Sequence, residues 1–261
     1  MRQGGQISMS EGGQISYRLT TILTPRVING TNYSFLNIEL WYTLLMSTMK
    51  FDQTCTFSGT HEVLFTEFLR LTVEGNEVLD LGCYRGQISL ELLRHNLNVV
   101  SRDVKDWGHI AELPNFDILD ANEPFKIESN SLDAIYCSEV IEHIDNPANL
   151  ISECQRVLRP DGFMLLSSPN IYSLKSRLHF LLRGKLFGFG TLETTDWYHV
   201  SPLRIEWLEL QCKRVGFNIL SVNGVAYDGS FGIRQQVFNF LDTFFRCIQG
   251  HTVYFILQKI R

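Results

Sequence analysis

The sequence has no apolar run long enough to cross a bilayer, and residues 1–30 lack the basic start and apolar stretch of a signal peptide. These absences predict a chain that neither spans a membrane nor is secreted, and a cytoplasmic location is expected. Closely spaced cysteines are also missing: the six stand alone at 55, 83, 137, 154, 212 and 247, with no C-x-x-C pair. A cysteine-based zinc site and a disulfide-stapled domain are thereby excluded, and reduced, mostly buried thiols are expected. Nor is positive charge in excess. With 23 Lys and Arg against 28 Asp and Glu, net −5, the chain lacks the surplus that neutralises a long phosphate backbone, so no long nucleic acid is expected as a partner.

What is present is enough hydrophobic sequence, 44% of 261 residues, to bury one sizeable core in a monomeric or weakly associated protein. Residues 1–55 differ from the rest. GGQIS occurs at 4–8 and again at 12–16, and the segment is rich in Gly, Ser, Thr and Asn. It reads as a poorly ordered or docking extension, with Phe35 to Met46 apolar enough for one docking helix. The main domain is expected over 56–261. Strand-like runs at 77–82, 97–103, 115–119, 132–138 and 163–168 alternate with helical patterns, which predicts an α/β fold with a mostly parallel sheet and helices on both faces. One helix is well punctuated. Asn146 can cap it, Pro147 opens it, and Leu150, Ile151, Cys154, Val157 and Leu158 share a face. Arg159 to Gly162 then turns the chain into the next strand. A second helix is expected to open at Ser201-Pro202 and stop at Gly216. The chain then reads strand from about 217 to 225, helix from about 235 to 248 and strand from His251 to Ile260. A last strand slotted into the sheet would complete a seven-stranded arrangement.

The segment Glu77 to Gly86, EVLDLGCYRG, is a strand entering a glycine-bearing turn that opens a helix. A doubly wound sheet binds nucleotide-like ligands at such a place. Gly82 and Gly86 would let the backbone approach the ligand, Cys83 lies in the turn, and Asp80 would anchor the turn or accept from the ligand's amino-acid end. Without further support, the segment is equally an ordinary strand-to-helix turn. The next strand ends at Asp103, about 20 positions after the turn, where an acidic side chain can take both ribose hydroxyls. Asp120, after the third strand, is placed to accept from an adenine amino group, with Asp117 and Asn122 as nearby competitors.

The pieces VLDLGCYRG, SRDV, SLDAIYCSEVIEH and RVLRPDGFMLLSSPN, in this order across about residues 60–220, resemble the class I S-adenosylmethionine-dependent methyltransferases, in the branch that includes ubiquinone and menaquinone biosynthesis enzymes. The resemblance implies a Rossmann-like, seven-stranded sheet and S-adenosylmethionine as cofactor. It also implies that Asp80, Gly82, Cys83, Gly86, Asp103, Asp120, Cys137 and Ser138 line the cofactor site. Tyr84 departs from the family, which usually has a middle glycine there, and a reshaped loop is expected. The same substitution removes the G-x-G-x-x-G fingerprint of a nicotinamide-dependent oxidoreductase. A relative that binds cofactor without catalysis is the other rival.

Transfer from a sulfonium needs mainly alignment, and a base only where a hydroxyl or amine must lose a proton. His143, after the fourth strand, is the candidate base; as a helix-side histidine it would merely pack. Glu139, Glu142 and His143, at i, i+3 and i+4, would share a helical face, and His199 would complete a magnesium site. That pattern resembles the metal site of ubiquinone-pathway O-methyltransferases and of small-RNA 2′-O-methyltransferases. It favours O-methylation of a small-molecule, lipid or glycan acceptor. Residues 173–190 mix Lys175, Arg177, Arg183 and Lys185 with Leu and Phe, which suits a lid within an acceptor insertion around 173–200 or a peripheral membrane contact. The aromatic run Phe231 to Phe245 is expected in the core.

Overall fold

The computed structural model describes residues 59–108, 113, 115–189, 198–226, 237, 240–243 and 247–261. The chain divides into two compact units, Met1–Thr48 and Met49–Arg261, and every described residue belongs to the second. The GGQIS repeat and the helix expected at 35–46 lie outside the described residues. Most of the 231–245 run does as well.

Helix α1 (Thr60–Leu69) precedes strand β1 (Glu77–Leu81), followed by α2 (Gln87–Arg94), β2 (Asn98–Asp103), β3 (Phe116–Ile118) and β4 (Leu132–Cys137). A single 3-10 turn at Ile141–His143 leads to α3 (Pro147–Val157), β5 (Leu158–Pro169) and α4 (Leu174–Arg183). The chain continues through α5 (Ile205–Val215), β6 (Phe217–Val225) and β7 (Thr252–Lys259). The seven strands form one sheet in the order β3-β2-β1-β4-β5-β7-β6. Pairs from β3 through to β5 run parallel, and β7 lies antiparallel between β5 and β6. This is the predicted α/β, mostly parallel, seven-stranded arrangement, with the last strand slotted in.

Alternation along the central strands divides their side chains between two cores. Leu79, Leu81, Ile135 and Cys137 pack with Ile151, Leu208 and Phe255 under α3 and α5. Val78, Ala134 and Tyr136 pack on the other face with Phe65, Phe68 and Leu92 from α1 and α2. Helices therefore cover both faces, which is why the strands read as near-continuous apolar runs.

The α3 punctuation is as expected: Asn146 accepts from the Asn149 amide, Pro147 opens the helix, and Leu150, Ile151, Cys154 and Val157 are buried. Two boundaries differ. The segment Arg159–Gly162 loops out of the ladder between the Leu132–Leu158 and Ala134–Phe163 pairs, with Asp161 at φ 66°, so the turn lies inside β5. Helix α5 begins at Ile205, because the Ser201 hydroxyl donates to the Ile144 carbonyl and the first helical amide donates to the Tyr172 hydroxyl. The late helix, where described, covers 237 and 240–243 and has ended by 247. Among the described residues no helix is long and apolar enough to cross a membrane. Cys83, Cys137, Cys154, Cys212 and Cys247 are free thiols.

Candidate active site

A cavity of about 650 Å³ opens at the carboxyl ends of β1, β2, β4 and β5, and its walls include Asp80, Gly82, Asp103, Ser138 and His143. That volume suits a nucleoside-sized ligand together with part of a second molecule. Parallel strands end there without helices on top, so the sheet itself sets the position.

One end of the cavity wall is built by the β1–α2 turn and the end of β2. Asp80 is fully buried, and its carboxylate accepts from the Ser89 hydroxyl at 2.5 Å, which is joined by Ser101 at 2.8 Å. Burial raises its pKa to about 7, with Ser89 opposing the shift. Gly82 and Gly86 both adopt left-handed backbone, φ 78° and 87°. A side chain at Gly82 would strike Val140, and one at Gly86 would strike Leu113. The glycines thus serve turn geometry and packing, and Gly86 does not line the cavity.

Tyr84 also stands in the left-handed region, at φ 50°. The turn keeps the backbone a glycine would give it, at a conformational cost of about 1 kcal/mol. The Tyr84 ring lies 5.7 Å from Trp107, and the Arg85 guanidinium lies 5.5 Å from the Tyr84 ring. Asp103, 6% exposed, accepts from the backbone amides of Tyr84 and Val104 and from Trp107 Nε1. Asp120 lines the cavity but is exposed, and one of its oxygens accepts from Asn122 in an Asx turn. Asn122 lines the wall as well, while Asp117 does not.

The other end lies past β4. Ser138 lines it, whereas Cys137 is fully buried in the core beneath and does not reach the cavity. Glu139, Glu142 and His143 share no helical face, because Glu139 adopts φ 54° and only a 3-10 turn follows. Glu139 instead bonds to the Ser167 hydroxyl at 3.0 Å, and burial raises its pKa to about 7.

Glu142 and His143 meet His199, arriving from a later segment. One ligand atom from each lies within 4.8 Å of the others. Both imidazoles donate through Nδ1 to backbone carbonyls, His143 to Tyr198 and His199 to Gly188. A carbonyl only accepts, so each neutral ring carries its lone pair on Nε2. Burial, followed by the neighbouring His199, lowers the His143 pKa to about 4. Glu142 is 0% exposed, and neither carboxylate oxygen has a hydrogen-bond partner among the described residues. Burial and nearby Glu139 push its pKa well up. Two neutral imidazoles and a carboxylate with unspent acceptor capacity form a donor set that fits a divalent cation.

His61, Tyr136, Asn170 and His251 also line the cavity and were missed in the sequence. Tyr136 had a usable signal, because it stands two residues before Ser138 on β4 and strand alternation puts both on one side. His61 and His251 come from the flanks of α1 and β7, far from any motif.

Residues 59–222 match a family described as a methyltransferase domain. The ubiquinone biosynthesis O-methyltransferase of Neisseria meningitidis serogroup C (strain 053442) is 24% identical over 193 residues, covering 67% of this chain and 79% of that protein. Its counterpart in Coxiella burnetii (strain Dugway 5J108-111) is 26% identical over 170 residues, covering 60% and 70%. The crystal structure of a SAM dependent methyltransferase from Archaeoglobus fulgidus superposes with a TM-score of 0.57 at 20% identity, covering 78% of this chain and 96% of that one.

Proposed function

The chain belongs to the class I S-adenosylmethionine-dependent methyltransferases, and on that premise we propose that it methylates a hydroxyl oxygen of a small-molecule, lipid or glycan acceptor. The observation that carries the acceptor chemistry is the Glu142, His143 and His199 cluster on the cavity wall. A carboxylate and two lone-pair nitrogens gathered there suit an oxygen acceptor that must be oriented and relieved of a proton.

In this reading Asp103 takes the ribose, Asp120 or Asn122 meets the adenine edge, and Asp80, Gly82, Cys83 and Ser138 surround the amino-acid end. Gly86 supports the turn and Cys137 supports the strand end from below. S-adenosylmethionine supplies a methyl group already activated on its sulfonium. The chain's task is to align the acceptor with it and exclude water. His143 is the base: neutral because its pKa is held low, it keeps an Nε2 lone pair with which to take the hydroxyl proton.

In place of that role for His143, the Glu142, His143 and His199 set would hold a divalent cation, which would supply Lewis acidity toward the acceptor oxygen. Two nitrogens and one carboxylate suit manganese or zinc better than magnesium, which prefers oxygen ligands. Within the domain at 56–261, Phe187, Gly188 and His199 of the 173–200 insertion would face the acceptor, and α4 is the part that would meet an anionic lipid surface. Phe180, Leu181 and Leu182 are 54, 77 and 78% exposed there.

The test is transfer of isotopically labelled methyl from S-adenosylmethionine to a panel of phenols, lipid-linked hydroxyls and glycans. The expected product is a methyl ether whose formation falls at least about 100-fold in His143→Ala, within the range general bases contribute. A product methylated on nitrogen or carbon would overturn the reading.

A further inference from the structure

Asp103 carries more hydrogen bonds than a ribose-binding carboxylate needs. A carboxylate offers about four acceptor positions, two on each oxygen. Both positions on Oδ1 are filled, by the Val104 amide and by Trp107 Nε1, each at 2.7 Å. On Oδ2 one is filled, by the Tyr84 amide at 2.8 Å. One position remains, although the spacing of Asp103 from the glycine turn suggested that it takes both ribose hydroxyls.

Trp107 lies outside any helix or strand, four residues beyond the end of β2. Among the contacts that hold it are the Asp103 oxygen, the Tyr84 ring at 5.7 Å and the Lys105 ammonium 3.7 Å from its ring centre. The Tyr84 amide reaches Asp103 from the β1–α2 turn, in which Tyr84 adopts left-handed backbone. Two loops therefore converge on one carboxylate and fix its orientation before any ligand arrives.

We infer that Trp107 is a positioning residue for the nucleoside: its indole N–H saturates Oδ1 and locks the Asp103 carboxylate so that Oδ2 accepts a single ribose hydroxyl. The inference rests on the reading that Asp103 holds the ribose. Its consequence is unequal recognition of the two hydroxyls, set by a residue that touches the carboxylate and not the sugar.

The test is calorimetric titration of the full chain with S-adenosylhomocysteine and with its 2′-deoxy and 3′-deoxy analogues. The proteins are wild type, Trp107→Phe, Asp103→Asn and the double variant. Trp107→Phe keeps an aromatic ring against Tyr84 and removes the N–H. In wild type, one deoxy analogue is expected to bind within about twofold of the parent and the other about tenfold or more weaker, the size of one lost charge-assisted hydrogen bond. In Trp107→Phe, Oδ1 regains an acceptor position that the second hydroxyl can use, so the gap between the analogues narrows. On the Asp103→Asn background the tryptophan change adds nothing, because its effect runs through that carboxylate. Equal losses for the two analogues in wild type, or the same effect of Trp107→Phe on both backgrounds, would overturn the inference and leave Trp107 as packing. Parent binding unchanged by Asp103→Asn would instead overturn the ribose reading, and the Trp107 inference with it.

Discussion

Asp103 and Glu142 are buried carboxylates on the wall of one cavity, and the chain treats them differently. Asp103 receives three N–H donors from two loops. Glu142 has both oxygens without a hydrogen-bond partner among the described residues and sits beside two imidazoles. A buried carboxylate left this way costs stability, whereas a fully bonded one need not. The surroundings of Asp103 are thus assembled by the protein alone, and the Glu142 cluster, which the proposed function gives to the acceptor, holds binding capacity in reserve at a cost to the fold. Fixed recognition of an invariant cofactor and adjustable recognition of a variable acceptor call for these two designs.

The largest effect belongs to Asp80, which qualifies the contrast because it lies at the nucleoside end and yet is penalised by burial. Its pKa rises from 3.8 to about 7. A carboxyl whose folded pKa is raised favours folding while protonated, and that contribution is lost as pH rises from about 4 through about 7. Asp80→Asn does not titrate and can still accept from Ser89. Its stability should match wild type near pH 4 and exceed it by up to about 4 kcal/mol at pH 8. Urea midpoints at pH 4, 6 and 8 measure this, and parallel curves would mean that Asp80 is ionised and its burial compensated by hydrogen bonds.

Asp103→Ala comes next, since it strips the acceptor from three donors at once. A loss of about 2–3 kcal/mol is expected, both in folding and in S-adenosylhomocysteine affinity, the latter appearing as about 100-fold in Kd. Unchanged affinity would place the nucleoside elsewhere and dissolve the comparison. Glu142→Gln should move the other way. Without a titratable group at that site the fold gains about 1–2 kcal/mol at pH 8, a higher Tm, while calorimetric heats on adding manganese or zinc disappear. A loss of stability would show that Glu142 is already compensated and that the two ends do not differ.

The same asymmetry explains what was legible in the sequence. The nucleoside end is local: Asp80, Gly82 and Tyr84 share one strand-turn segment and Asp103 ends the next strand, so motif and spacing located them together. The seven-stranded, mostly parallel sheet followed from alternating units and a last strand slotted in, whereas the strand order became visible only in the structure. The acceptor end is made by distant segments. His199 reaches Glu142 because the Val200 and Ser201 amides donate to the Glu142 carbonyl, a pairing across more than 50 residues that no spacing rule reveals. Treating Glu139, Glu142 and His143 as one helical face failed because Glu139 adopts left-handed backbone that ends the strand without starting an α-helix. Cys137 was misplaced by one step of strand alternation, since Tyr136 and Ser138 face the cavity and Cys137 faces the core.

The smallest effect on the fold is expected on α4, where the acceptor end meets solvent. Residues 173–190 contain Lys175, Arg177, Arg183 and Lys185 and no Asp or Glu. Leu181 and Leu182 are more than three-quarters exposed, so replacing both with serine removes almost no packing and should shift stability by no more than about 0.5 kcal/mol. Just beyond the helix, Phe187 and Gly188 line the cavity, and the Gly188 carbonyl accepts from His199, so whatever α4 touches is coupled to the acceptor end. If that is an anionic lipid surface, co-sedimentation with phosphatidylglycerol vesicles should fall about tenfold in the double serine variant, and with added salt as well, since both apolar insertion and basic side chains contribute. Equal sedimentation of the two proteins would instead make α4 a lid. The variant's effect would then appear in KM for the acceptor, and the difference between the two ends would lie wholly inside the cavity.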